Sequence, residues 1–217
     1  MSNKKPRGKS RDNKRQQERR KSKMRKLLVA KVNKDRIAKY NNPVLGKLSQ
    51  DVSPTDDLSF IKDMKETVRT SNKGVGLAAS QIGVLKRVII VDLLKNNNYT
   101  VMINADYTPV KEKNLNSPQS KPRVRTYESE EGCLSYPNFY TKISRPRKIE
   151  VTYYDEDMKM HTEEFEEFKS ILIQHEIDHT FGICKVGDAW KEKKDKMKRL
   201  TQRSRVKEEQ VATIENE

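Results

Sequence analysis

The feature that most restricts how this chain can fold is the uneven distribution of its charge. Residues 1–39 contain 17 Lys or Arg and 3 Asp or Glu, a net charge of +14, whereas the whole 217-residue chain carries +15. Apolar side chains are almost absent before Leu27. Such a segment cannot bury enough surface to offset the entropy of ordering it. We therefore predict a disordered basic extension over residues 1–36 and a fold built from the nearly neutral remainder.

Hydrophobic patterning in that remainder predicts an α+β fold. One helix is expected from Ser53, which can act as N-cap, and another over about Glu166–Thr180. Strands are expected at four β-branched or alternating runs, namely Arg87–Leu94, 99–107, Lys148–Asp155 and 158–165. Residues 111–126 are polar and are expected to form a loop. We predict mixed or antiparallel sheets packed around the second helix, with a folded domain at 37–187 and a charged C-terminal helix or tail at 188–217.

Cysteine usage and hydropathy narrow the class of protein. Cys133 and Cys184 are too few for a disulfide framework and fit a reducing compartment or a metal site. No apolar run approaches the roughly 18 residues of a membrane span, and no hydrophobic signal-peptide core follows the basic segment. We expect a cytoplasmic protein with no membrane association. Organellar targeting by the acid-poor N-terminus is the alternative, although that segment is Lys-rich and lacks an amphipathic Leu pattern.

The stretch IQHEIDHTFG places two of the three histidines four residues apart on one helix face. That face also carries apolar residues, namely Phe168, Ile171 and Leu172. An inward position suits neutral imidazoles that bind a metal, and Glu176 stands beside His175 as in the H-E-x-x-H pattern of hydrolytic metal sites. Asp178 is either a solvated acid or a hydrogen-bonding support for a ligand. The alternative interpretation of His175 and His179 is a pair of satisfied core histidines.

Two stretches upstream could complete such a site. Cys133 follows a glycine in EGCLS and could supply a thiolate ligand, although a free cysteine is also commonly a small buried apolar residue. Cys184 has no flanking pattern and is expected to be structural. The small residues of Gly74–Gln81 can lie close to a ligand. Gln81 there is either a surface amide or a donor to a developing oxyanion.

Together, GVGLAASQ (Gly74–Gln81), EGCLS (Glu131–Ser135) and QHEIDH (Gln174–His179) resemble the three signature motifs of peptide deformylase, in the same order. The likeness spans roughly Ile37 to Gly187, and it implies a catalytic domain at 37–187 built around a central metal-binding helix, the one that carries the two histidines. It implies a hydrolase that removes the formyl group from the N-terminal formyl-methionine of nascent polypeptides. It also implies one divalent metal per chain, natively Fe(II), with Zn, Ni or Co as replacements.

The resemblance also implies a role for each matching residue. The metal ligands would be Cys133, His175 and His179. Glu176 would be the general acid and base, Gln81 and the backbone N–H of Leu134 would stabilise the oxyanion, and Gly76 would contact the substrate through its backbone. The methionine pocket would consist of Val75, Phe168, Ile171 and Leu172. Structural support would come from Glu131, Arg145 and Asp178.

Several features depart from the family pattern. Tyr140 stands where many bacterial members have an arginine that contacts the peptide, and residues 111–126 form an insertion. The basic extension has no counterpart in the usual core. Residues 191–207 contain nine Lys or Arg and two Asp or Glu. Both basic ends are either solvated charge or surfaces that contact ribosomal RNA through its phosphates. We expect a monomer, and removal of residues 1–39 to weaken ribosome binding while sparing hydrolysis of short formyl-peptides.

Two other classes compete with a deformylase, and the residues disfavour both, because only three metal ligands are obvious and the third of them lies upstream. The first is a nucleic-acid-binding protein with a structural metal, which would need a closed site with four protein ligands. The second is a zincin-type endopeptidase, in which the third ligand often lies downstream, but no histidine follows His179. Hydrolysis of formyl-Met-Ala-Ser separates a deformylase from both.

Overall fold

The structure is a computed structural model that describes residues 36–71, 74–113 and 119–214, together with Arg19; from 203 onward it describes the backbone alone. The predicted disordered extension falls outside the described residues apart from Arg19 and Arg36. The helices are α1 (Phe60–Thr70), α2 (Glu167–Thr180) and α3 (Lys185–Ile214). The strands are β1 (Gly76–Ala78), β2 (Val88–Val91), β3 (Thr100–Pro109), β4 (Lys111–Glu112), β5 (Arg123–Val124), β6 (Thr126–Cys133), β7 (Tyr136–Pro146), β8 (Lys148–Tyr154) and β9 (Met160–Glu166).

A five-stranded antiparallel sheet of order β1-β2-β3-β8-β9 is sandwiched between two helices. Val88 and Ile90 of β2 pack in a core with α1. Ile89 and Val91 pack in a second core with α2. Because β2 is buried on both faces, its sequence is an unbroken apolar run rather than an alternating one. The predicted α+β fold with a central helix is confirmed, and its strand pairings are antiparallel.

A separate hairpin, β6–β7, carries the cysteine motif. Its register shifts between Gly132 and Cys133, so that Cys133 pairs with Tyr136 and the two residues between them form the turn. The start of α3 covers this hairpin through a third core that includes Val186 and partly buried Trp190. The hairpin therefore positions Cys133 from a two-stranded layer separate from the five-stranded sheet, and the start of α3 packs against that layer.

The start of the first helix was predicted wrongly. The helix begins at Phe60 rather than just after Ser53. Ser53 instead forms a turn, in which its N–H donates to Asp56 Oδ2 at 2.7 Å. The N–H of Ser59 donates to Asp57 Oδ1 at 2.8 Å. Short polar side chains bind nearby backbone groups in competition with helical hydrogen bonds, and here the turn is the outcome.

The expected loop over residues 111–126 was also wrong in part. Its ends form the short antiparallel pair β4–β5, and β6 begins at Thr126; residues 114–118 lie outside the described residues. The C-terminal helix begins at Lys185, so it crosses the predicted domain boundary at 187/188. Among the described residues, no helix is long and apolar enough to cross a membrane.

Candidate active site

Helix α2 lies at the centre of the molecule and is buried on every side from Ser170 to Thr180. The prediction of a single inward face was therefore too narrow. His175 and His179 share the expected face, and Glu176 and Asp178 are buried as well. Polar side chains in such a position require partners or a ligand, because an unpaired buried polar group is costly. The groups that surround these polar side chains come from the sheet, the β6–β7 hairpin and the Gly74–Gln81 stretch.

Cys133, His175 and His179 converge on one point. Their potential ligand atoms all lie within 4.8 Å of one another, and within the described residues this group contains no fourth ligating side chain. The Cys133 Sγ is 3.2 Å from Nε2 of His179. One sulfur and two imidazole nitrogens suit Fe(II), Zn, Ni or Co rather than Mg or Ca. The donor set therefore fits a transition-metal ion with an open position.

The protonation of these groups also fits a metal site. A hydrogen bond with Cys184 and burial raise the pKa of the Cys133 thiol well above its ordinary value, while a bound cation deprotonates a ligating thiol. Burial lowers the pKa of His179 well below its usual range, which keeps this imidazole neutral. Cys184 is buried and accepts a hydrogen bond from the Gly187 N–H at 3.3 Å, but it is not in the three-residue group.

A buried charge network orients His175. Its Nδ1–H donates to Oε2 of Glu131 at 2.8 Å, which leaves Nε2 available for a metal. Arg145, only 1% exposed, donates to both oxygens of Glu131 at 2.6 and 3.1 Å. It also donates to Asp178 Oδ2 at 2.7 Å. The network joins the end of β6, strand β7 and helix α2, so the three supporting residues named from the sequence lie together and are buried.

Glu176 lies against Gly76. A Cβ on Gly76 would come within 2.5 Å of Oε1 of Glu176, so only a glycine leaves room for this carboxylate. The other oxygen, Oε2, is buried and has no hydrogen-bond partner among the described residues. Burial raises the pKa of Glu176 to about 7. A carboxyl group with that pKa can accept and return a proton near neutral pH.

Gln81 is held in one orientation from both ends of its amide. The Ala78 N–H donates to Oε1 at 2.9 Å, and Nε2 donates to the Ser135 hydroxyl at 3.1 Å. The same Nε2 lies 3.5 Å from the Cys133 Sγ. Gln81 is 2% exposed, so it is not a surface amide. Its N–H groups point at the cysteine turn, where Leu134 also lies.

A cavity of about 950 Å³ opens onto these residues. The residues expected to contact a methionine side chain all line it, namely Val75, Phe168, Ile171 and Leu172. Gly76, Gln81 and Leu134 line it too. Ile171 and Leu172 are buried, whereas Phe168 is 41% exposed at the rim. An apolar cavity beside a group of potential metal ligands is the arrangement expected of a small-ligand site.

Sequence reasoning missed two participants, Ser135 and Lys39, and named a third, Tyr140, without its position in the site. Ser135 holds the Gln81 amide, and Lys39 reaches the pocket from the start of the fold. Tyr140 stacks over Gly132, where a Cβ would meet its ring at 2.6 Å, and it remains 54% exposed at the rim. Ser135 lies inside the EGCLS stretch and could have been noticed. Lys39 carries no local signal, because its proximity to Leu134 arises only from the tertiary fold.

Comparisons with known proteins agree with this geometry. The model of the polypeptide deformylase family matches residues 34–195. A peptide deformylase of Leptospira biflexa is 36% identical over 165 residues, which cover 70% of this chain and 85% of that protein. One of Fusobacterium nucleatum is 38% identical over 152 residues, covering 68% and 79%. The crystal structure of peptide deformylase from Thermotoga maritima has a TM-score of 0.58 and 31% identity, covering 68% of this chain and 92% of that one. With matches of this extent and the three motifs gathered around one pocket, the chain belongs to the polypeptide deformylase family.

Proposed function

We propose that Cys133, His175 and His179 hold the metal with which this chain hydrolyses formyl-methionyl peptides. Removal of the formyl group from N-terminal formyl-methionine is the activity of the family, and the chain is a metal-dependent hydrolase of that kind. One observation supports the assignment above all: the three ligand atoms lie within 4.8 Å of one another beside a buried carboxyl group. We propose Fe(II) as the native ion, with Zn, Ni or Co as replacements, because all accept this donor set.

A bound ion of this kind supplies a Lewis acid that lowers the pKa of water toward 7. Glu176 accepts the proton of the attacking water through its carboxylate and later donates it to the departing amine. Its pKa of about 7 suits both steps. His175 is kept in a single tautomer by Glu131, so its ligating nitrogen needs no rearrangement during turnover.

Gln81 and the backbone N–H of Leu134 stabilise the negative charge that develops on the formyl oxygen. The Gln81 amide is already fixed by Ala78 and Ser135, so no energy is spent on ordering it as the charge forms. One donor of this type typically contributes about 3 kcal/mol to transition-state stabilisation. The methionine side chain occupies the apolar part of the cavity, and Gly76 contacts the peptide through its backbone.

The direct test is anaerobic hydrolysis of formyl-Met-Ala-Ser by protein loaded with Fe(II) or Ni(II). Glu176→Ala should retain one metal per chain and lose turnover, because it removes the proton carrier but no ligand. Cys133→Ala should lose the metal as well. Normal turnover by Glu176→Ala would show that its assigned role is wrong.

We propose further that the chain acts in the cytoplasm as a monomer on nascent peptides and docks on ribosomal RNA through its basic segments. Residues 191–200 of α3 are exposed and contain six Lys or Arg against two acids. Contacts of such residues with phosphates are strong, salt-sensitive and indifferent to sequence. Replacing Lys196, Lys198 and Arg199 by Gln should weaken ribosome binding and reduce its salt dependence. Neutralising three exposed lysines outside α3, namely Lys47, Lys62 and Lys159, is the matched control.

The deletion of residues 1–39 that the sequence suggested extends too far into the fold. Ile37 and Ala38 are buried, and Lys39 lines the pocket, so removal of residues 1–39 would damage the folded domain. A deletion of residues 1–33 leaves the family match intact. We expect it to keep hydrolysis of short peptides and to bind ribosomes less tightly at low salt. Equal binding of the full and shortened chains across a salt series would contradict a role for the N-terminal segment.

A further inference from the structure

The short segment from Ile37 to Lys39 contacts both residues proposed to stabilise the oxyanion. The Ala38 N–H donates to the backbone carbonyl of Gln81 at 2.7 Å. The Lys39 ammonium donates to the backbone carbonyl of Leu134 at 3.3 Å. Ile37 and Lys39 also line the cavity. One segment thus connects two donors that come from distant parts of the chain.

We propose that Lys39 is a positioning residue of this site, which holds the backbone at Leu134 so that its N–H faces the developing oxyanion. The inference rests on the function proposed above and assigns Lys39 no contact with the substrate. Its action passes through Leu134.

The backbone at Leu134 needs such a contact because the strand ladder ends there. The pairing of β6 with β7 shifts register between Gly132 and Cys133 and resumes only at Cys133 with Tyr136. Leu134 and Ser135 form the turn between these two partners. A turn outside the ladder lacks the regular hydrogen bonds that fix a strand, so contacts from other segments decide its orientation.

A lysine suits this task better than a neutral residue. Lys39 is half-buried, and a half-buried ammonium gains most from hydrogen bonds with oxygen acceptors. A bond from a charged donor is stronger than one between neutral groups. This bond matters more in the transition state than in the bound peptide, because the formyl oxygen becomes anionic only during the reaction.

Loss of the ammonium should therefore lower kcat and leave KM nearly unchanged. Direct removal of an oxyanion donor lowers kcat by about 100- to 1,000-fold. Lys39 acts one step away through a 3.3 Å bond, so we expect a decrease of about tenfold for Lys39→Met. Methionine keeps most of the unbranched stem and removes only the charge and the donors. Lys39→Arg should recover most of the activity, because it restores a charged donor.

The experiment uses the full-length Ni(II)-loaded protein and compares Lys39→Met and Lys39→Arg with Lys47→Met, an exposed lysine in the same part of the chain. We would measure kcat and KM for formyl-Met-Ala-Ser. We would also measure the Kd of a peptide analogue in which a phosphonate, a tetrahedral anion, replaces the formyl group. In Lys39→Met the analogue should bind more weakly by the same factor as kcat falls, because both report stabilisation of the anion.

Three outcomes would overturn the inference alone: an unchanged kcat in Lys39→Met, a raised KM with kcat unchanged, or a lower kcat with undiminished binding of the phosphonate. The second would indicate a substrate-binding lysine, and the third a general structural defect. A wild-type protein that does not hydrolyse the peptide would overturn the proposed function and this inference with it.

Discussion

Replacing Arg145 by methionine tests whether the buried charge network supports the site. Arg145 is 1% exposed and donates three hydrogen bonds, at 2.6, 3.1 and 2.7 Å, to Glu131 and Asp178, which are each 6% exposed. Methionine fills much of the same space but leaves both carboxylates without these donors. Breaking a buried ion pair by removing one partner costs about 3–5 kcal/mol. That is a large part of the roughly 5–15 kcal/mol by which domains are stable.

The effect of pH distinguishes this mechanism from a simple packing defect. Burial raises the pKa of Glu131, but hydrogen bonds from His175 and Arg145 outweigh it, so the net pKa is lowered. A carboxyl group with a lowered pKa contributes stability above its ordinary pKa, and this contribution is lost as the pH falls through the lowered value. The destabilisation in Arg145→Met should therefore be larger at pH 7.5 than at pH 4.5, where protonation of Glu131 removes the unpaired charge.

Urea unfolding of the metal-free protein, followed by circular dichroism and by the fluorescence of Trp190, measures the loss of unfolding free energy and its dependence on pH. Metal is removed because a ligand that binds only the folded state adds to apparent stability. Lys142→Met, on the same strand, is the control: its ion pair with Glu128 is exposed on both sides, and such pairs contribute little. A loss below about 1 kcal/mol at pH 7.5, or a larger loss that does not change with pH, would refute the reasoning.

Two further predictions concern Gly76 and Glu176 in the site, and a third concerns the packing of α3. Gly76→Ala should lower kcat by about 10- to 100-fold with metal content unchanged, since the new Cβ would lie 2.5 Å from Oε1 of Glu176 and displace it. Steady-state kinetics and metal analysis check this prediction. A normal kcat would contradict the close approach of Gly76 and Glu176. In metal-free protein, the raised pKa of Glu176, about 7 instead of 4.5, stabilises the folded state at low pH, and this stability is lost as the pH rises from 4.5 to 7. Glu176→Gln should therefore gain about 3 kcal/mol relative to wild type over that interval in urea unfolding, and a constant difference would count against it. Ending the chain at Gly187 should lower the thermal midpoint of unfolding, because the Trp190 ring packs on Tyr40 and Tyr136 with ring centroids 4.5 and 5.8 Å apart. An unchanged midpoint in a thermal melt would place the domain boundary at 187/188, where the sequence predicted it.

Local sequence accounts for much of the fold and of the site. The helix of the two histidines was predicted within one residue of its observed start, because several apolar residues and both histidines recur at helical spacing, a signal that needs only nearby residues. The strands at Val88–Val91 and Thr100–Pro109 were recognised from β-branched runs. Strand β6 was not, because its TYESEEGC sequence has mostly polar, exposed side chains and its pairing with β7 comes from the rest of the fold.

The sequence by itself identified the residues proposed to carry the chemistry: a thiol, two imidazoles at helical spacing, an adjacent acid and an amide, each in a recognisable short motif. It also determined that positive charge is concentrated in residues 1–39, since charge distribution is a property of sequence alone. Only the tertiary structure decided that His175, Glu131, Arg145 and Asp178 form one buried network. Only the tertiary structure brought Lys39 to the carbonyl of Leu134. The physical reason is that motifs are set by residues a few positions apart, whereas burial and contacts between distant segments depend on how the sheet, the hairpin and the helices pack together.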